Sequence, residues 1–439
     1  MTLKANFAQW LKKIEGENSQ ICLGLDRVTE VGIKANVLRF SCPVVTVAGT
    51  NGKGSTVAAL STLLQNAGLK VGTYTSPHLF DFKERAQING KCVDENTWCE
   101  AFNKIESCKG DIPLTFFEFT TLAAFEIFQQ PHHQLDIVVL EIGLGGRQDA
   151  VNVIAPTVAI VTTIGLDHQD YLGTTLESIA SEKAGIFRAK QHAVIGRMAC
   201  IPSLLAKAKA LEVSLMIEGE HFDYDEKTQI WHIGNETNIN IQHYLPTSSV
   251  SLAMAAYTIL DKHYISLPKL DAKSLESKVM VGRCYPVVLN NKPVIFDVAH
   301  NPQGSQWLAT TIKRLAPGAK ICAVWASMTD KDLVGIAKPM SEVVCDWYIG
   351  KVQDNLRCAL NDELETALVS CEAKAIHVFD NINEAFNKAL TAVHDLIVVF
   401  GSFYTVSQVM SQVSHFEMNN GGLSGIEKIL PNASVKSEC

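Results

Sequence analysis

The sequence predicts an α/β protein with two domains, each built on a mostly parallel sheet. Apolar runs rich in Val and Ile recur along the chain and alternate with segments of helical periodicity. That alternation is typical of parallel strands covered by helices on both faces. At 439 residues the chain is also longer than one ordinary hydrophobic core, so two or three domains are expected.

The first domain is predicted to span residues 1–285. Its strand candidates are the apolar runs 44–48, 71–75, 137–142 and 158–164, and its helix candidates include 56–67 and 120–128. After about Leu211 the pattern becomes irregular, until a further helix is predicted over 249–260. The N-terminus has the pattern of a short amphipathic helix.

The second domain is predicted to be a smaller, Rossmann-like α/β domain over residues 286–416. A polar stretch with prolines, 282–293, has the composition of a linker in front of it. Helical segments such as 303–315 then separate five predicted strands, which are 294–298, 321–325, 346–349, 375–379 and 396–400. Residues 417–439 are rich in Asn, Gly and Ser and are expected to form a flexible tail.

Composition excludes several functions. The net charge of −8 argues against a surface for nucleic acid or for an anionic membrane. The twelve cysteines show no CxxC pair, which favours reduced thiols over disulfides or zinc. No signal peptide and no run of about 18 apolar residues is evident, so we expect a soluble, cytoplasmic protein.

The clearest chemical signal is the segment 44–56, VVTVAGTNGKGST, in which a strand leads through a glycine-rich turn into a helix. Glycines let backbone N–H groups approach phosphate oxygens, and the helix N-terminus adds its positive dipole end. Lys53 supplies a charge for the outer phosphates, and Ser55 or Thr56 supplies a hydroxyl for magnesium. The loop is of P-loop type but departs from the common spacing, since Val47 replaces the first glycine and Gly54 follows the lysine.

Two further residues follow predicted strands and are candidate metal ligands. Glu141 ends an apolar strand and precedes a glycine-rich turn, which is where open α/β sheets place ligands. Burying a carboxylate without a partner is costly, so a purely structural Glu is disfavoured there. His168 also follows a strand, although alone it is more typical of a hydrogen-bonded loop histidine.

Ten motifs, in this order and spacing, resemble the folate branch of the Mur-ligase superfamily, and most closely the bacterial bifunctional dihydrofolate synthase/folylpolyglutamate synthases. The resemblance covers about residues 23–409. Its motifs are LGLDRV (23–28), VAGTNGKGST (47–56), SPHLFDFKERAQING (76–90), LTFFEFTT (114–121), LEIGLGGRQDAVN (140–152), LDHQDYLG (166–173), SEKAGIFR (181–188), FDVAHNPQG (296–304), DKD (330–332) and GSFYTV (401–406).

The resemblance implies an ATP-dependent carbon–nitrogen ligase that forms an acyl phosphate on a pterin-bearing acceptor and transfers it to L-glutamate. It implies dihydropteroate and tetrahydrofolate as acceptors, two Mg²⁺ ions as cofactors and a monomeric protein. Such chemistry needs charge stabilisation by Mg²⁺, Lys and backbone N–H groups rather than a covalent nucleophile.

The resemblance also assigns site residues by their positions in the motifs. Metal ligands would be Ser55 and Glu141, with Ser76 and His168 for a second ion, and Lys183 would be carbamylated. Catalytic roles fall to Lys53, Lys183, His168 and His300. Nucleotide contacts would come from Thr50, Asn51, Gly52, Lys53, Gly54, Ser55, Arg283 and Asp297. The pterin substrate would contact Leu23, Thr115, Phe117, Glu118, Gln148, Asp149 and Ala150.

Two departures from the family pattern fall on the nucleotide side. Ser249 stands where relatives usually have Asn, and GRCYPV (282–287) lacks the usual Gln after Gly-Arg. Three alternatives remain open: a folylpolyglutamate synthase without the dihydropteroate activity, an inactive folate-binding protein, and a peptidoglycan Mur ligase. The last is disfavoured because only about 45 residues precede the loop, which is less than a domain. Ala150 favours the bifunctional form, since relatives that only extend folates more often have Ser there.

Overall fold

The computed structural model describes residues 6–17, 22–234, 237–353 and 355–413. The chain forms two compact units. The first consists of residues up to Gly165 together with Asp170–Lys278, and the second consists of Leu166–Gln169 together with the chain from Val279 onward. The division falls earlier than the predicted residue 285, and the four residues 166–169 group with the second unit. The predicted tail lies outside the described residues.

The first unit contains an eight-stranded sheet with the order β4-β3-β2-β5-β1-β6-β7-β8. Strands β2, β5, β1, β6, β7 and β8 are parallel, whereas β3 and β4 are added antiparallel at one edge. The bounds are β1 Val44–Ala48, β2 Val71–Tyr74, β3 Ala86–Ile88, β4 Lys91–Cys92, β5 Ile137–Glu141, β6 Val158–Val161, β7 His192–Ile195 and β8 Ser214–Ile217. Strands β1, β5 and β6 are fully buried, as their continuous apolar sequences predict.

Nine helices belong to this part of the described chain. They are α1 Phe7–Glu17, α2 Asp26–Ala35, α3 Lys53–Asn66, α4 Glu95–Lys109, α5 Phe116–Phe128, α6 Gln169–Leu172, α7 Leu176–Lys183, α8 Pro202–Ala210 and α9 Thr247–His263. Helix α3 begins three residues before the predicted start of residue 56, because Gly52 occupies the N-cap position. Helix α5 begins at Phe116, where Thr115 and Glu118 form a capping box.

The prediction of irregular structure after Leu211 is wrong. Besides β8, that region forms a three-stranded antiparallel sheet of β9 Phe222–Asp225, β10 Ile230–Ile233 and β11 Thr237–Asn240. These strands have only four residues each, and β9 and β11 are largely polar, so no long apolar run marks the sheet. The small sheet is fixed to α9 by the buried Trp231 indole N–H, which donates to Ser251 Oγ at 3.0 Å.

The second unit is a six-stranded sheet with the order β12-β13-β17-β14-β15-β16, parallel except for the pair β12–β13. Its strands are β12 Tyr285–Leu289, β13 Lys292–Phe296, β14 Ile321–Trp325, β15 Asp346–Lys351, β16 Ile376–Asn381 and β17 Leu396–Phe400. Its helices are α10 Pro302–Leu315, α11 Leu333–Ser341, α12 Asn361–Ser370, α13 Ile382–Thr391 and α14 Phe403–Val413. The α/β class is therefore confirmed in both units.

The predicted linker 282–293 is instead largely a β-hairpin, which corrects the sequence interpretation. Asn290 and Asn291 connect β12 to β13 and have φ angles of 49° and 60°. Both central residues of a type I′ hairpin turn need positive φ, and Asn tolerates that conformation better than most residues. Pro286 is accommodated because β12 is an edge strand.

Among the described residues, no helix is long and apolar enough to cross a membrane.

Candidate active site

The loop between β1 and α3 is shaped by its glycines. A Cβ on Gly49 would lie 1.8 Å from Thr162 Oγ1, so no side chain fits there. Gly52 has a φ of 85° and caps α3. Lys53 then starts the helix, and its ammonium donates to the carbonyls of Gly49 at 3.0 Å and Thr50 at 3.2 Å. The lysine charge is thus held over the loop that is expected to bind phosphate.

The residues that follow β6 fix the other side of the loop. Thr50 N–H donates to Thr163 O at 2.8 Å, and Asn51 N–H donates to Thr163 Oγ1 at 3.0 Å. In return, the Thr162 hydroxyl donates to Asn51 O at 2.6 Å. These contacts fix the backbone of the loop, and a rigid loop loses little entropy when an anion binds, which suits a phosphate site.

The Glu141 carboxylate lies against Ser76 and Gly54 at the carboxyl edge of the first sheet. Glu141 is buried at the end of β5, and its Oε2 accepts from Ser76 N–H at 3.1 Å. A Cβ on Gly54 would lie 3.5 Å from that same oxygen, which puts the loop against the carboxylate. The Ser55 hydroxyl is fully buried, and no described residue hydrogen-bonds to it. Ser55 directly follows Gly54, and an unsatisfied buried hydroxyl in that place suits a hard divalent cation that takes oxygen ligands.

The predicted pterin-binding residue Asp149 organises the glycine-rich turn after β5. It is buried, and its two oxygens accept from Leu144 N–H at 2.8 Å and Val151 N–H at 2.9 Å. Burial raises the pKa of Asp149 to about 7, although the two hydrogen bonds and the Lys53 charge oppose that rise. The next residue, Ala150, is also buried.

Two more predicted pterin contacts lie together on the other side of this turn. Gln148 O accepts from Gly24 N–H at 3.4 Å, so the segment that contains Leu23 runs beside the turn. Arg27, in the same segment, reaches Glu118 Oε1 at 2.9 Å. Arg27 lies in the LGLDRV motif but was not among the site residues predicted from the sequence.

Thr115, Phe117 and Glu118 are brought together at the start of α5. The Thr115 hydroxyl accepts from Glu118 N–H, while Glu118 Oε2 accepts from Thr115 N–H at 2.7 Å. Phe117 packs over the turn after β5, where a Cβ on Gly143 would lie 2.5 Å from its ring. The ring also lies 6.2 Å from that of Tyr74. Phe117 therefore places an aromatic ring against the glycine-rich turn.

Lys183 ends α7 and is only 3% exposed. Its backbone packs against the same turn, since a Cβ on Gly146 would lie 2.9 Å from Lys183 Cα. The neighbouring Glu182 accepts from Arg147 N–H through its carbonyl at 2.8 Å and binds the Arg147 guanidinium at 2.7 Å. The Lys183 backbone is thereby held against Gly146, which lies only a few residues after Glu141 in the chain.

Ser249 contacts the phosphate loop directly. Its hydroxyl donates to Gly52 O at 3.3 Å, and the residue is buried at the start of α9, which packs along α3. The residue that departs from the family pattern therefore contacts the capping glycine of α3.

In the second unit, Asp297 follows β13 and organises the residues around Arg283. Its carboxylate accepts from Cys284 N–H at 2.6 Å and from Ala299 N–H at 2.7 Å. Burial raises the pKa of Asp297, against the opposing charge of Arg283 and those two hydrogen bonds. The Arg283 guanidinium stacks over Phe403 at 5.1 Å. The GRCYPV segment is thus fixed by Asp297 through the Cys284 backbone.

The same unit holds a charged cluster around Asp167, which sequence reasoning did not single out. Its carboxylate contacts Lys331 Nζ at 2.7 Å, Asn301 Nδ2 at 3.0 Å and His300 Nε2 at 3.4 Å. Burial by itself would raise the pKa of Asp167. The His300 hydrogen bond and the charges of His300, His168 and Lys331 outweigh burial and hold that pKa well below its usual value. Its members lie in the LDHQDYLG, FDVAHNPQG and DKD motifs, of which only His168 and His300 were predicted site residues.

His300 and His168 both face this carboxylate. The His300 Nδ1 lies 2.8 Å from the Val298 carbonyl, which can only accept, so Nδ1 carries a proton. His168 has a φ of 51°, and its Nε2 lies 3.9 Å from Asp167. The structure groups His168 with the second unit, and its role as a metal ligand stays a prediction.

Comparisons with known proteins agree with this arrangement. The Mur ligase middle domain matches residues 47–257, and the Mur ligase glutamate ligase domain matches residues 282–403. The dihydrofolate synthase/folylpolyglutamate synthase of Escherichia coli (strain K12) is 36% identical over 413 residues, covering 92% of this chain and 95% of that protein.

Solved structures extend the likeness to the whole fold. E. coli FolC in complex with DHPP and ADP has a TM-score of 0.86 and 35% identity, covering 94% of this chain and 98% of that chain. A bifunctional folylpolyglutamate synthase/dihydrofolate synthase with Mn, AMPPNP and L-glutamate bound has a TM-score of 0.84 and 34% identity, covering 93% and 98%.

Proposed function

The chain belongs to the dihydrofolate synthase/folylpolyglutamate synthase family of Mur ligases, and from that premise we propose that it joins L-glutamate to dihydropteroate and to tetrahydrofolate with ATP. In each case the γ-phosphoryl group of ATP passes to the acceptor carboxylate, giving ADP and an acyl phosphate. The amine of glutamate then attacks the acyl carbon, phosphate leaves, and an amide forms with release of the amine proton.

The observation that supports this proposal most is the phosphate loop, in which the Ser55 hydroxyl is buried without a partner among the described residues and Gly54 lies against the Glu141 carboxylate. Lys53 and the backbone N–H groups of the loop stabilise charge on the transferred phosphoryl group. Ser55 and Glu141 would hold one Mg²⁺, with Ser76 and His168 for a second, and the metal would neutralise phosphate charge. The relative bound to Mn and AMPPNP supports a divalent metal with an ATP analogue.

The acceptor side of the proposal involves the turn after β5. Gln148, which precedes Asp149 and Ala150, contacts the segment of Leu23, and Phe117 packs on the turn at Gly143. A carboxyl group with a pKa of about 7 can hydrogen-bond to a pterin ring in either protonation state. It donates when it is protonated and accepts when it is ionised. The relative bound to DHPP and ADP supports a pterin compound at this family's acceptor site.

The deciding experiment measures ADP release by the full-length protein. Dihydropteroate with glutamate, ATP and Mg²⁺ should give turnover, and so should tetrahydrofolate. Omitting glutamate or the acceptor provides the matched control for simple ATP hydrolysis. Turnover with tetrahydrofolate as acceptor but not with dihydropteroate would identify the protein as a folylpolyglutamate synthase without the dihydropteroate activity. Tight pterin binding without any ADP release would identify an inactive folate-binding protein.

We also propose that Lys183 is carbamylated. Its neutral amine would add to CO₂, form an N–C bond and release one proton, which turns a buried cation into an anionic oxygen donor. The burial of Lys183 supports this, since an unmodified ammonium loses hydration there. With ¹³C-bicarbonate, a carbamate NMR signal should appear in the protein and be missing in Lys183→Met. An equal signal in the variant would refute the modification. Monomeric state and cytoplasmic location stay predictions.

A further inference from the structure

Three potential metal ligands gather at the amino-terminal edge of the second unit's sheet. Cys345 directly precedes β15, Asp346 is its first residue, and His394 lies shortly before β17. The residues expected to serve the ligase reaction, Asp297 and His300, follow the carboxyl end of β13 instead. The cluster is therefore a separate feature at the opposite edge of the same sheet.

The spacing of the three ligand atoms matches a metal coordination sphere. Asp346 Oδ2 lies 3.3 Å from Cys345 Sγ and 3.6 Å from His394 Nδ1. All three ligand atoms lie within 4.8 Å of one another. Bond lengths of about 2.0–2.3 Å around a tetrahedral zinc place neighbouring ligand atoms about 3.3–3.6 Å apart. The side chains could close on a zinc ion with small rotations.

His394 points an unused nitrogen into this cluster. Its side chain is only 3% exposed, and among the described residues nothing hydrogen-bonds to the buried Nδ1. Nε2 lies 3.2 Å from the hydroxyl of Tyr348, whose oxygen can accept a hydrogen bond from Nε2–H and so leave the Nδ1 lone pair available. Burial also lowers the pKa of His394, which favours the neutral imidazole that metals bind.

The thiol of Cys345 also faces the carboxylate. Its Sγ lies 3.0 Å from Ile321 O and 3.3 Å from Asp346 Oδ2, so the S–H proton is shared with acceptors that a metal would replace. Burial, together with the nearby Asp346, raises the pKa of the thiol, and a metal ion would displace the proton. Lys320 Nζ lies 3.9 Å from Asp346, but its side chain is 56% exposed and can turn to solvent.

We propose that Cys345, Asp346 and His394 bind one zinc ion, with a water molecule as the fourth ligand. A thiolate and a carboxylate balance the charge of the ion, and a Cys/His/Asp set is typical of zinc rather than magnesium. The ion would tie the start of β15 to the loop before β17. His377, whose Nε2 lies 4.0 Å from Asp346 Oδ1, is a further donor at the rim.

Cobalt substitution tests the site in the full-length protein. Co²⁺ is titrated in the presence of saturating Mg²⁺, which occupies oxygen-rich sites. One equivalent should produce a thiolate-to-cobalt charge-transfer band and the visible bands of tetrahedral cobalt. Cys345→Ser and His394→Gln should each remove the charge-transfer band, whereas the control Cys371→Ser should keep it. The proposal fails if the band is missing from the unchanged protein or persists in Cys345→Ser.

A thermal shift gives a second readout, which also shows whether the variants fold. Equimolar Zn²⁺ should raise the Tm of the unchanged protein and of Cys371→Ser, and leave the Tm of Cys345→Ser unchanged. An equal rise in all three proteins would overturn the assignment. ADP release by Cys345→Ser should match that of the unchanged protein, because the cluster lies at the edge away from Asp297.

Discussion

The side chains of Asp167 and Lys331 meet at 2.7 Å although 164 residues separate them in the sequence. Each is only 7% exposed, so the pair has little access to water. Asn301, the N-cap of α10, donates to the same carboxylate. The pair thus fastens the segment Leu166–Gln169 to the second unit, next to the start of α10.

Breaking this pair from one side should be costly. In Lys331→Met, Asp167 stays buried with its closest charged partner gone, so we expect a loss of about 3–5 kcal/mol in the free energy of unfolding. Urea unfolding followed by the fluorescence of the buried Trp325 and Trp347 reports on this unit.

Two further variants test that interpretation. Asp167→Asn/Lys331→Met should cost less than the sum of the two single changes, because no unpaired charge remains. Lys34→Met, which breaks an exposed pair with Glu30, should change stability by at most about 1 kcal/mol. Strict additivity in the double variant would show that the two residues do not act as a pair.

The depressed pKa of Asp167 predicts a dependence of stability on acid. Its folded pKa lies below the unfolded value of about 4, so the ionised carboxylate contributes fully above that pH. The contribution should fall as the pH drops below about 4 toward the folded pKa. Unfolding free energies measured from pH 6 to pH 3 should decline less steeply in Asp167→Asn than in the unchanged protein. Parallel curves would contradict this assignment.

Asp149 should act in the opposite direction. Its folded pKa of about 7 exceeds the unfolded value, so the folded state keeps a proton that the unfolded chain loses. Stability should therefore fall as the pH rises from about 4 to 7, by up to about 1.4 kcal/mol per pH unit from this group. Asp149→Asn should lack that slope, whatever its stability at pH 4. Urea unfolding over this range checks the sign, and an unchanged slope would show that Asp149 is ionised in the fold.

Local patterns in the sequence were enough for the α/β class and the phosphate loop. The strands around the loop are continuous apolar runs, and the glycines, Lys53 and Ser55 are adjacent in sequence. By contrast, the pairing of Asp167 with Lys331 depends on which segments the fold brings together, so periodicity carried no sign of it. The β12–β13 hairpin was not predicted for another reason. Its Asn290-Asn291 turn and its prolines have the composition of a linker.

Lys53→Ala should abolish turnover without unfolding the protein. The ammonium donates to the loop carbonyls of Gly49 and Thr50, and the loss of such hydrogen bonds should change stability by about 1 kcal/mol. Without this charge, transfer of the phosphoryl group loses a main electrostatic partner, and kcat should fall at least about 1000-fold. ADP release and thermal unfolding measured together distinguish the two effects, with the exposed Lys34→Ala as the control. Turnover close to that of the unchanged protein would remove Lys53 from the reaction.

Ser249→Ala should weaken ATP binding while leaving the chemical step nearly intact. The serine hydroxyl donates to Gly52 O at 3.3 Å and so helps to hold the residue that caps α3 and orients the loop's N–H groups. Losing a hydrogen bond of about 1 kcal/mol should raise the KM for ATP about fivefold, with kcat changed less than about twofold. Ser251→Ala is the matched control on the same helix, because its hydroxyl accepts from Trp231 and faces the small sheet. That control should lower the free energy of unfolding but leave the KM for ATP unchanged. If both variants raised that KM equally, α9 would influence nucleotide binding through its packing and not through the contact between Ser249 and Gly52.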